Sequence, residues 1–152
     1  MSNELFQIAL AWQPHNKPFN YNEYSREYAI ASQGKPTLTG TAAPEYKGSH
    51  DAYNPEEMLI MALSACHMLS YLALAANSKI EVLAYEDNAK GSLHKEDNII
   101  KFKEVILCPK IKISANSDAD KALALHNKAH HICFIANSVN FPIEIQAEII
   151  PT

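Results

Sequence analysis

Residues 54–77, NPEEMLIMALSACHMLSYLALAAN, read as one long helix, and the rest of the chain is organised around it. Asn54 suits the cap, and Pro55 suits the first helical position, where an N–H would have no helical partner. Glu56 and Glu57 fall at the positive end of the helix dipole. Glu57 follows Asn54 by three residues, the spacing of a capping box. The pattern stops near Asn77. From Met58 to Ala76 run 19 residues without an acid, lysine or arginine, long enough for a membrane span. Ser64, His67, Ser70 and Tyr71 recur at helical spacing as a polar stripe, however, and the flanking segments read as a soluble α+β domain. The expectation is a central helix buried on nearly every side, with no membrane partner.

Upstream, residues 5–12 (LFQIALAW) read as a strand. Extended pieces follow, with QGKP (33–36) as a hairpin tip, then a loop over 41–53. Downstream, residues 80–93 and 99–114 read as two strands joined by the turn HKEDN. In the second, Val105, Leu107, Pro109, Ile111 and Ile113 alternate with Ile106, Cys108, Lys110 and Lys112, which turns Cys108 to the lysine side. Ser117 or Asp118 opens a second helix with an inner stripe of Ala122, Leu125, Ala129, Ile132 or Cys133, and Ala136, ending near Asn137. A last strand over 139–149 sets Val139, Phe141, Ile143, Ile145, Ala147 and Ile149 on one face. The sum is a single α+β domain over residues 1–152, the long helix packed on antiparallel sheet.

The 152 residues are 47% hydrophobic and 20% charged, with net charge −4, so the chain can bury a core without staples. An acidic balance (pI ≈ 5.9) with scattered lysines gives no footprint for nucleic acid. The four glycines form no phosphate-binding loop, which leaves nucleotide cofactors without support. The N-terminal stretch MSNELFQIALAWQPHNKPF lacks the basic start of a secretory signal. Three cysteines do not make a disulfide scaffold; in a reducing cytoplasm, the expected location, thiols of this kind react or bind metal.

Two of the three lie in apolar segments beside histidine: Cys66 in ACH, Cys133 in AHHIC. A nucleophilic cysteine must ionise, and apolar neighbours such as Met58, Leu63, Met68 and Leu69 disfavour the thiolate. Cys66 lies eleven residues, about three turns, after Pro55, beyond the reach of the helix dipole. A cation from elsewhere is needed. Arg26 is the single arginine beside twelve lysines, and arginine keeps its charge when partly buried. With Glu57 engaged in the cap, Glu56 is left as its carboxylate partner. His67 adjoins Cys66 but points about 100° away on a helix, and His130 precedes Cys133 by one turn. Together Cys66, His67, His130 and Cys133 could form a Cys₂His₂ zinc site, though at unusual spacings. A small-ligand binder without catalysis is a further reading.

NPEE with a cysteine ten residues after its first glutamate, joined to a distant AHxxC, resembles the OsmC/Ohr family of thiol-dependent peroxidases over about two thirds of the chain. The resemblance implies organic hydroperoxides as substrates, Cys66 as peroxidatic thiol and Cys133 as resolving thiol in an intramolecular disulfide. It implies an Arg–Glu pair supporting the thiolate, here Arg26 and Glu56. Arg26 stands thirty residues before Glu56, as in the Ohr branch, but without the Gly-Arg typical of that branch. It also implies no metal or bound cofactor, an external thiol reductant such as a lipoyl-type dithiol, and an intertwined homodimer with active sites at the interface.

Overall fold

A computed structural model describes residues 3–152 and divides the chain into two compact units, Met1–Met58 and Leu59–Thr152. In the first, strands β1 (Ala9–Trp12), β2 (Tyr28–Ala31) and β3 (Leu38–Gly40) form an antiparallel sheet in that order. The β2–β3 turn falls on Ser32–Lys35, where the glycine-containing tip was expected, with Gly34 at φ +75°. Trp12 packs on Phe19 and Tyr24 and donates from Nε1 to the Ser25 carbonyl. The 41–53 loop contains one turn of 3₁₀ helix at Pro44–Tyr46.

Helix α1 (Pro55–Asn77) has the expected bounds. Its capping box is reciprocal: the Glu57 N–H donates to Asn54 Oδ1 at 2.8 Å, and the Asn54 N–H donates to Glu57 Oε2 at 3.2 Å. At the other end the Ile80 N–H reaches the Ala75 carbonyl and the Lys79 N–H the Ala76 carbonyl, with Lys79 left-handed at φ +61°. This is a Schellman motif, clinched by burial of Ile80, with lysine where glycine would be unstrained. Within the chain α1 buries a single face, Leu63, His67, Tyr71 and Ala75, at strict four-residue spacing. Its other faces stay open, Leu69 at 63% exposure, which corrects the expectation of burial on nearly every side. By length and composition alone the helix could cross a membrane.

The second unit holds the remaining strands in two sheets. The order β4-β7-β9 uses Val82–Asp87, Pro109–Ile113 and Glu148–Pro151, and β5-β6-β8 uses Lys90–Glu96, Ile99–Leu107 and Ile143–Ile145. Each expected long strand is thus two: 80–93 breaks at Asn88–Ala89, and 99–114 breaks at Cys108. The β5–β6 hairpin turns on Asp97 and Asn98, both with positive φ, the chemistry of a type I′ turn. The expected strand over 139–149 also divides. β8 runs parallel to β6 and β9 parallel to β7, and the Gln146 N–H between them bonds the Leu107 carbonyl. The in-out alternation survives because the chain keeps its extended pitch across the break.

Helix α2 (Ala119–Ile132) starts at Asp118, whose carboxylate accepts the Lys121 N–H at 3.0 Å. It ends five residues before the expected Asn137. Cys133 turns to extended geometry (φ −69°, ψ 113°) as C-cap, and a 3₁₀ turn at Ala136–Ser138 follows. The apolar stripe continues through this cap, which is why periodicity alone read it as helix.

Candidate active site

Two apolar clusters fill the second unit, and the thiols meet in one of them. Leu63, Val105, Leu107 and Cys133 are buried there, with Cys66, Ile60, Phe102, Ala136, Phe141 and Ile143 packed around them. Cys66 comes from the middle of α1, one turn from Leu63. Cys133 comes from the point where α2 stops. Its N–H still bonds the Ala129 carbonyl, its sulfur accepts the Ala136 N–H at 3.4 Å, and its carbonyl accepts the Asn137 N–H. The cap therefore fixes the backbone and sulfur of Cys133 together. Both cysteines are free thiols packed in this one cluster, Cys66 the more exposed. Burial pushes the Cys133 thiol up to about 11, the neighbouring Cys66 adding to this and the Ala136 N–H partly opposing it.

Arg26 and Glu56 both lie in the first unit, and the structure does not bring them into an ion pair. The Arg26 guanidinium stacks 3.6 Å from the Tyr24 ring centroid and donates to the Tyr24 and Tyr21 carbonyls. Those nearby carbonyls and rings hold the two terminal nitrogens of the guanidinium locally. Among the described residues, its Nε and Glu56 Oε2 are buried without a hydrogen-bond partner. Glu56 instead faces Tyr28, whose hydroxyl is pushed up by burial and then by that negative charge.

His67 turns from the thiols to His126, Nε2 to Nδ1 at 3.0 Å, and among the described residues no three His, Cys, Asp or Glu side chains gather as metal ligands. Sequence reasoning missed His126. The available signal was its place on the Ala122–Ala129 stripe, where a histidine is buried with the helix. Cys108 lies apart from the pair, half-buried after β6, its N–H donating to Asp87 Oδ1 at 2.7 Å. The second oxygen of Asp87 accepts the Ser64 hydroxyl at 2.5 Å.

The chain and its fold resemble known proteins. A family model described as OsmC-like protein matches residues 48–148. The chain belongs to the OsmC-like family. An OsmC-like protein of unknown function from Vibrio cholerae superposes with a TM-score of 0.86 at 32% identity, covering 95% of this chain and 97% of that one. The uncharacterised YmaD protein of Bacillus subtilis is 24% identical over 115 residues, 73% of this chain and 77% of its own length. An organic hydroperoxide resistance protein from Elizabethkingia anophelis shares the fold at 20% identity and a TM-score of 0.69, covering 99% of this chain and 100% of that one. The OsmC-like α+β fold is thereby established, and solved structures that share it include proteins named for organic hydroperoxide resistance.

Proposed function

We propose that this OsmC-like chain is a thiol-dependent peroxidase that reduces organic hydroperoxides to alcohols. The observation that carries the reading is the pair of free thiols, Cys66 and Cys133, held together in an apolar cluster with the chain's third cysteine elsewhere. The Cys66 thiolate attacks the peroxide oxygen distal to the organic group. The O–O bond breaks, the leaving alkoxide takes a proton to become the alcohol, and Cys66 becomes a sulfenic acid. Cys133 waits as a neutral thiol at physiological pH, which leaves the first attack to Cys66. Its sulfur then displaces the sulfenic hydroxyl, the S–S bond forms, and the Cys133 proton leaves with that hydroxyl as water. An external dithiol, of the lipoyl type by the family resemblance, takes up the oxidation and returns both thiols.

Apolar walls from Ile60, Phe102 and Phe141 around the sulfurs favour organic peroxides over hydrogen peroxide. Arg26 and Glu56 enter by resemblance. The resemblance assigns Arg26 to support the thiolate and the charge developing on the peroxide oxygens and Glu56 to hold the arginine, an ion pair that this structure does not form. A homodimer in a reducing cytoplasm completes it: Leu69 and Met61 on α1, and Phe6 and Leu10 in the first unit, are apolar side chains that a second copy would cover. The test is a thiol-coupled assay with cumene hydroperoxide and hydrogen peroxide. Faster consumption of cumene hydroperoxide, lost in Cys66→Ser, supports the reading; equal inactivity of both proteins rejects it.

A further inference from the structure

Beside the thiols, α1 and α2 bury a second couple of titratable side chains, His67 next to Cys66 on α1 and His126 about two turns before Cys133 on α2. His67 and His126 are 1% and 4% exposed, and their rings lie nearly parallel, 12° apart, around the 3.0 Å contact between Nε2 and Nδ1. Tyr71 stacks on His126 at 4.2 Å and donates its hydroxyl to the Ala122 carbonyl. The contacts thus step along two oppositely directed helices, from Tyr71 and Ala122 through His67 and His126 to Cys66 and Cys133.

A nitrogen–nitrogen hydrogen bond holds one proton. With both rings neutral, one donates and the other accepts. The outer nitrogens, His67 Nδ1 and His126 Nε2, are buried and have no partner among the described residues. A first added proton therefore brings a buried charge and a further N–H without an acceptor, and a second leaves two donors facing each other. The surrounding groups give little relief. From α2, His130 faces His67 and opposes its charge. From β4, Asp87 favours that charge but is engaged with Ser64 and the Cys108 N–H, and the Tyr85 hydroxyl is buried without a partner.

We propose that the His67–His126 bond is a latch, closed while both rings are neutral, that ties the middle of α2 to α1 and so holds Cys133, the cap of α2, against Cys66. The two histidines are then positioning residues for disulfide closure, an inference that rests on Cys133 as the resolving thiol. Burial lowers both imidazoles to about 4, with His130 acting the same way on His67 and His67 on His126. The latch stays shut at neutral pH and opens in acid.

The full chain is equilibrated with reduced and oxidised dithiothreitol from pH 7 to 3.5, approached from both directions, and the Cys66–Cys133 disulfide is read by mass. Two thiols replace two thiols in this exchange, so while all stay protonated its constant has no pH dependence of its own. The wild-type constant should be flat to about pH 5 and then fall several-fold. His126→Phe, which keeps the stacked ring, should be about three- to tenfold lower at pH 7 and show no break, the range of one net hydrogen bond. His126→Asn, which keeps a polar atom near Nδ1 and cannot titrate, should hold the wild-type constant at pH 7 and lose the break. It carries the test if the Phe variant does not fold. A wild-type constant flat to pH 3.5, or a break that persists in the variants, overturns the latch. No peroxide is used, so a chain that closes its disulfide normally but consumes no hydroperoxide refutes the peroxidase reading, and the latch is still judged by these constants.

Discussion

The same two helices carry two neighbouring couples of reactive side chains and treat them oppositely. At the thiol end, Cys66 and Cys133 sit among aliphatic and aromatic groups, with one backbone N–H on the Cys133 sulfur. At the imidazole end, His67 and His126 satisfy each other with one shared proton and stack on Tyr71. A thiol is a weak hydrogen-bonding group and tolerates a dry pocket; an imidazole does not, and needs its partner. The thiol couple is suited to change its bonding, and the imidazole couple to keep it.

The largest effect belongs to the thiol end. Cys66→Ser should lower hydroperoxide turnover by at least about a thousandfold in the coupled assay, because a hydroxyl is neither ionised nor nucleophilic enough to replace a thiolate. Cys133→Ser should react once and then stall, its Cys66 sulfenic acid driven to sulfinic acid by excess oxidant. Multiple turnovers at the wild-type rate in Cys133→Ser would separate the two thiols that the structure brings together.

The imidazole end should show itself in stability. Both histidines titrate at about 4 in the fold against 6.5 ordinarily, so below pH 6.5 the unfolded chain binds more protons than the folded one. Stability should therefore fall progressively from pH 6.5 down to about pH 4, read as the urea midpoint at each pH. His67→Leu with His126→Leu together should flatten that slope; a double variant with the wild-type slope would place the acid sensitivity elsewhere. The smallest effect lies at the far end of α1, away from both couples. Lys79→Gly relieves a left-handed lysine in the Schellman turn and should stabilise the chain by about 0.5–1 kcal/mol in urea, with no change in turnover.

What the sequence made legible follows the same division. Asn54, Pro55 and Glu57 announced the start of α1 because a capping box is local chemistry. Cys66 and Cys133 could be matched across the chain because each sits in its own motif. The His67–His126 couple could not, since its partners are 59 residues apart and neither lies in a pairing motif. The division of the last strand was hidden for another reason: β8 and β9 join different sheets without breaking the alternation of Ile143, Ile145, Ala147 and Ile149. Arg26 was singled out by being the sole arginine, a property of composition. Its hold on the Tyr21 and Tyr24 carbonyls is a matter of local backbone conformation, which composition does not encode.

The central claim is that Cys66 and Cys133 act as one redox unit. Intact mass spectrometry after one equivalent of cumene hydroperoxide tests it most directly, on the wild type and on Cys133→Ser and Cys108→Ser. The wild type and Cys108→Ser should each lose two hydrogens, and Cys133→Ser should gain one oxygen. Loss of two hydrogens that persists in Cys133→Ser and vanishes in Cys108→Ser would make Cys108 the partner of Cys66 and contradict the account.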